Sequence, residues 1–104
     1  MTGIQTNQRK RIEIFVDRAL LRRVRDMAVK SGVNEYTIMP TIGGSTEGGR
    51  WNDDQVTGGA ASKVMITAYL EEELAEKFLI DLRPYIEQYG LYITISPVEI
   101  LVHN

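Results

Sequence analysis

The chain has no cysteine and a single histidine. The first absence removes disulfides, thiolate metal sites and cysteine nucleophiles, and it suits a reducing compartment. The second leaves one subunit too few soft donors for a transition-metal centre, which draws mainly on His and Cys. His103 reads as a solvated side chain; only copies converging on a symmetry axis would make it a ligand. An excess of one charge is lacking too. Twelve basic residues against 14 acidic ones leave a net charge of −2, so a broad nucleic-acid-binding face is not expected. Apolar runs fall far short of the ~20 residues of a membrane-spanning helix, and the polar N-terminal stretch has no apolar signal-peptide core. The expectation is a soluble cytoplasmic protein. No nucleophile–base pair or serine elbow is visible. Gly43-Gly44-Ser45 is not a phosphate-binding P-loop, because the pattern GxxxxGK[ST] is absent. Nothing argues for a catalytic centre, and no obligatory cofactor is expected.

What the chain does have is concentrated glycine. Six of its nine glycines fall between Gly43 and Ala61, as the pairs Gly43-Gly44, Gly48-Gly49 and Gly58-Gly59. This run has neither a helical nor a strand apolar period, yet extended apolar segments flank it on both sides. Unstructured stretches longer than about 12–15 residues are uncommon in a compact domain and tend to carry function or to be disordered. Arg50 and Trp51, the only tryptophan, sit in its middle, where a plain linker would need only Gly and Ser. The pattern fits a mobile loop that orders when something binds. Arg50, Trp51, Asp53 and Asp54 are its candidate effector- or partner-binding residues. Asp53 and Asp54 with Glu47 could surround a hard cation, but they lack calcium-loop spacing and read as a solubilising or partner-binding acidic cluster.

With 104 residues the chain is long enough for one core. Residues 1–10 are polar and expected to be disordered, and residues 11–104 to form a single domain. Arg11–Val16 alternates and then turns apolar, as a strand does. Asp17 stands at an N-cap position. Leu20, Leu21, Val24, Met27 and Ala28 then form one face of a helix from Arg18 to Ser31, stopped by Gly32. Arg18, Arg22, Arg23, Arg25 and Lys30 fill its solvated side. Tyr36–Ile42 is extended, with Pro40 marking an edge or an early end to pairing. Lys63–Leu70 is the next strand beyond the glycine run. Glu71–Tyr89 is a second helix with an acidic first turn and an apolar stripe of Leu74, Phe78, Leu79 and Leu82, to be kinked or split by Pro84. Ile86 and Tyr89 continue its buried face, and Gly90 ends it. Tyr92–Ile95 is a last strand, interrupted by Pro97 before Val98–Val102.

Two strand–helix–strand halves predict an α+β, ferredoxin-like βαββαβ domain, an antiparallel four-stranded sheet with two helices on one face and a long flexible loop between strands two and three. Tyr36, Ile38, Tyr69, Ile93 and Ile95 look too apolar for an open sheet face, which suggests a closed homo-oligomer.

The βαββαβ order, Gly32-Val33 followed by Tyr36-Thr37, a long loop opening at Thr41-Ile42-Gly43-Gly44, and a closing strand together resemble the PII signal-transduction superfamily. The likeness runs from Arg11 to Val102. The short C-terminus and the GGxxxGGRW loop are most similar to the carboxysome-associated, bicarbonate-linked PII-like branch. The resemblance implies a trimer that binds ADP or AMP between subunits, with bicarbonate as co-effector. It also implies a large loop that docks on a partner such as a bicarbonate transporter. Carried over by residue, Thr37 lies near the adenine. Thr41, Ile42, Gly43, Gly44 and Ser45 form the loop base, where backbone N–H groups approach the phosphates; a glycine-rich turn can close on an anion in this way. Phe15 and Thr67 line the neighbouring subunit's side, and Tyr89, Gly90 and Leu91 occupy the second glycine-bearing loop. The chain also departs from the nitrogen regulators. It has no lysine after Gly90, no arginines in the tail, and no tyrosine in Gly43–Ala61 for uridylylation. Fewer phosphates, or charge from Arg50 or Lys63, would answer the missing cations. A structural adaptor of the same fold, with a cleft that binds nothing, is the alternative.

Overall fold

The computed structural model describes residues 3–46, 49–52 and 62–103. Among these residues, six strands and three α-helices follow one another as β1 (Thr6–Asp17), α1 (Leu21–Ser31), β2 (Thr37–Pro40), β3 (Gly43–Thr46), β4 (Gly49–Asn52), β5 (Lys63–Leu70), α2 (Glu72–Leu82), α3 (Ile86–Tyr89) and β6 (Tyr92–Leu101). The antiparallel main sheet has the order β2-β5-β1-β6, and β3 and β4 pair separately as a small ribbon. This is the expected ferredoxin-like arrangement.

β1 is central because its even positions carry the most buried side chains. Ile12, Ile14 and Val16 are sealed against the helices together with Val24, Phe78 and Leu82. The alternation of the strand and the 3.6-residue period of the helices thus meet in one apolar layer. Leu20, Leu21 and Met27 pack around its margin. The strand begins at Thr6, five residues ahead of the expected Arg11. Its first five residues pair with Leu101 back to Pro97, so an unbroken β6 supplies the partner that fixes them. Pro97 does not interrupt β6, because β6 is an edge strand and one side of its backbone needs no ladder donor.

Both helix ends use glycine as expected. Gly32 caps α1 at φ +100° and donates its N–H to the carbonyls of Ala28 and Val29. Pro84 divides the second helix: a single 3₁₀ turn, Arg83–Tyr85, separates α2 from α3. Tyr89 packs against the core, but Ile86 is 40% exposed, so the buried face does not continue through it. Asp17 makes no side-chain cap. Its carboxylate meets Lys63 instead, Nζ donating to Oδ1 at 2.8 Å.

The expected set of open-face residues is mostly on the wrong side. Ile38 lies opposite Ile66, Ile93 opposite Ile14, and Ile95 opposite Ile12; directly paired residues share a face, so all three isoleucines belong to the helix side. Tyr36 packs against the core ahead of β2. Only Tyr69 of the five stands on the open face. That face is mixed: Glu13, Thr37, Thr67 and Thr94 are interspersed with Phe15, Met39, Met65 and Tyr92.

Candidate functional site

Where β2 ends, the chain is pinned to the first residue of β5. The Thr41 N–H and hydroxyl both donate to the Lys63 carbonyl, at 3.3 and 2.6 Å. Ile42 then turns outward, 78% exposed, and the ribbon begins. Gly44 pairs with Trp51 and Ser45 with Arg50, so the start of the glycine run is ordered in the structure, against the expectation of no regular pairing there. The reason is the indole. Trp51 Nε1 donates to Thr41 Oγ1 at 2.7 Å, and the ring lies over Gly44. A Cβ on Gly44 would come within 2.7 Å of its Cη2 and Cζ2 atoms, so the ribbon closes only because that side chain is missing.

The same ring reaches the main sheet. Its centroid is 6.3 Å from that of Phe15 at an interplanar angle of 50°, and Phe15 is in turn 6.2 Å from Tyr92, edge to face. Lys63 Nζ stands 5.6 Å from the Trp51 centroid, within the range of a cation–π contact. Its charge is answered a second time by Asp17, in an ion pair that is partly buried on the lysine side. Asp17 and Phe15 thus complete the loop base. The alternation of β1 puts both on its open face, but nothing in the linear pattern tells which residue of β5 or of the loop they meet.

Thr37, Thr41, Ile42, Gly43, Gly44, Ser45, Lys63 and Thr67 gather on β2, β5 and the ribbon. Thr37 is exposed and sits opposite Thr67. Thr67 is 6% exposed and its Oγ1 has no hydrogen-bond partner among the described residues. Ser45 and Arg50 are exposed, and Arg50 forms no ion pair among the described residues. Asp53 and Asp54 lie outside them.

Tyr89, Gly90 and Leu91 are placed elsewhere. They precede β6, on the edge of the sheet opposite β2. At ~4.8 Å per strand spacing the two edges are roughly 14 Å apart, with Lys63 and Thr67 between them on the interior strand β5. Each also has a structural task. Tyr89 stacks on Tyr85 at 5.2 Å, Gly90 caps α3 at φ +62°, and Leu91 is a core residue, 7% exposed.

Two concavities of the described surface lie away from both groups. One of about 590 Å³ opens between Arg9, Lys10 and Glu72 and the Pro97–Glu99 stretch of β6. Another of about 310 Å³ runs between α2 and Ile95. No group of three or more His, Cys, Asp or Glu side chains that could hold a metal occurs among the described residues. No helix there is long and apolar enough to cross a membrane.

Residues 9–102 match the family model described as nitrogen regulatory protein P-II. No curated protein sequence matches the chain. Among solved structures, CPII from Thiomonas intermedia K12, a nitrogen regulatory PII-like protein bound to ADP, AMP and bicarbonate, is similar at a TM-score of 0.84 and 22% identity. That match covers 94% of this chain and 92% of CPII. The same protein bound to ADP and bicarbonate is similar at a TM-score of 0.80 and 23% identity, covering 94% and 93%. A PII-like signalling protein from Thermus thermophilus is similar at 0.76 and 20% identity, covering 92% of each chain.

Proposed function

Because this chain belongs to the nitrogen regulatory protein P-II family, we propose that it is a regulatory, non-enzymatic protein that binds ADP or AMP, with bicarbonate as co-effector. The sites lie in the clefts between subunits of a homotrimer. The segment that begins with the ribbon reports occupancy to a protein partner in inorganic-carbon uptake, such as a bicarbonate transporter.

The observation that carries this reading is the separation of the two glycine-bearing groups. Thr37 and the start of the ribbon stand at the β2 edge of the sheet, with Lys63 and Thr67 on the adjacent β5, and Tyr89–Leu91 at the β6 edge. A cleft between two copies, one offering each edge, would let a single ligand meet both groups, and this supports an inter-subunit site. The CPII structures of the same fold hold ADP, AMP and bicarbonate, which supports the ligand class. Arg50, exposed and outside any ion pair among the described residues, is the cation best placed to meet a phosphate, since Lys63 is already held by Asp17.

That ion pair is also the observation that favours the adaptor reading: with Lys63 answered inside the chain, the loop base offers an anion less net charge. Calorimetric titration with AMP, ADP and ATP, each with and without bicarbonate, separates the two readings. The expected result is binding of AMP or ADP that tightens with bicarbonate, and by linkage an equal tightening of bicarbonate by nucleotide. Binding of ATP with no bicarbonate coupling returns the protein to nitrogen-type signalling. No heat with any nucleotide leaves the adaptor. Replacing Gly43 by Val should weaken nucleotide binding while leaving the oligomer intact by sedimentation; unchanged affinity removes the phosphate-cradle role.

A further inference from the structure

We infer that Trp51 is an internal latch on the loop base, occupying the ground that an anionic ligand needs and leaving it when the ligand binds. The inference rests on the nucleotide-binding reading above and adds how that site is regulated. Three residues assigned to the ligand are engaged by this one side chain: Thr41 as hydrogen-bond acceptor of the indole N–H at 2.7 Å, Gly44 as the floor beneath the ring, and Lys63 as a cation 5.6 Å from its centroid. Phe15 lies against the same ring, 6.3 Å between centroids.

The ring fills the space on the side-chain side of Gly44 and lies against the Lys63 ammonium, and its face offers a phosphate no hydrogen-bond donor. The ligand and the ring therefore exclude each other. Trp51 is opposite Gly44 in the ribbon register, so moving the ring strips the ribbon of the contact that ties it to the sheet. Ligand at the base would then be converted into a change of the ribbon, without any rearrangement of the core. Thermodynamically the latch is a closed state competing with ligand, and apparent affinity falls in proportion to the fraction of molecules in which the base is open.

The test is titration of the intact chain with ADP, followed in parallel by calorimetry and by emission of its single tryptophan. The latch predicts a red shift and greater acrylamide quenching of Trp51 as ADP saturates. It also predicts about tenfold tighter ADP binding by Trp51→Ala, the gain expected if the base is open in about one molecule in ten. Trp51→Phe, which keeps a ring but loses the N–H donated to Thr41, should fall between. Circular dichroism and sedimentation confirm that both variants keep the fold and the assembly. ADP binding to Trp51→Ala but not to the natural chain also supports the latch. Calorimetric binding with unchanged emission, or weaker binding by Trp51→Ala, overturns the latch and leaves the nucleotide reading standing. Absence of ADP binding in both chains overturns the two together.

Discussion

The turn at Tyr89–Leu91 and the ribbon from Gly43 to Asn52 both depend on glycine, for different physical reasons. Gly90 is needed because its backbone is left-handed, φ +62°, and nothing lies within 4 Å of where its Cβ would be. Gly44 is not among the positive-φ residues; it is needed because a tryptophan ring takes the space of its side chain. The first turn is locked from below by Leu91 in the core. The second is locked from above by one side chain, Trp51, through its hydrogen bond to Thr41 and its contacts with Phe15 and Lys63. A turn bound into the core serves as frame, whereas a ribbon held by a single ring can be released without unfolding anything.

Substitutions that break this contrast should rank accordingly. Truncating Leu91 to Ala should cost about 2–4 kcal/mol of unfolding free energy, as buried Leu→Ala changes do. Denaturant melting would read it, and Trp51 emission in the folded state should not move. Gly90→Ala forces a side chain into the left-handed region and should cost ~1–2 kcal/mol, again without touching Trp51. Gly44→Ala should reverse the pattern. Global stability should change by less than about 1 kcal/mol, the usual scale of a change outside the core, while Trp51 emission shifts red as the indole is pushed off. A loss of global stability larger than that of Gly90→Ala would show that the ribbon is frame after all.

The smallest effect lies between the two helices. Ser31 Oγ donates to Asp81 at 2.6 Å and Lys77 Nζ at 3.1 Å, and these hydrogen bonds, the serine's first, hold the Asp81 carboxyl below its usual pKa. A depressed folded-state pKa contributes stability above the unfolded carboxyl pKa of about 3.9, and that contribution is lost as pH falls through the folded value. Ser31→Ala should therefore lower stability slightly at neutral pH and flatten its fall below about pH 4. Melting curves at pH 7 and pH 3 would show the difference shrinking toward zero.

The helices, their glycine stops, the proline split and the strand order were all legible in the sequence, because each rests on local chemistry or short-range periodicity. The phase of three isoleucines was not. Ile38, Ile93 and Ile95 alternate correctly within their own strands, and only the register against Ile66, Ile14 and Ile12 tells which face they share. The pairing of Thr6–Lys10 with β6 was hidden for a related reason: the stretch is polar, and its order comes from a partner some ninety residues away. At the loop base Thr41, Gly44 and Lys63 stood out in the sequence, but Asp17 was read as a helix cap, and nothing in the linear pattern showed that Trp51 would meet Thr41 and Phe15. The cap assignment follows propensity and yields to a contact across the sheet.

The pairing of Thr6 with Leu101, continued by the hydrogen bond from the Val102 N–H to the Gln5 carbonyl at 2.8 Å, has a practical side. Residues 5 and 102 leave the sheet side by side, at the end of β1 remote from Asp17 and the ribbon. The twelve residues of the strand set the two ends about 35–37 Å apart at 3.2–3.4 Å per step. A chain tethered to a sensor surface through either end would therefore stand with its ribbon outward, and a binding partner could reach Trp51 without meeting the support.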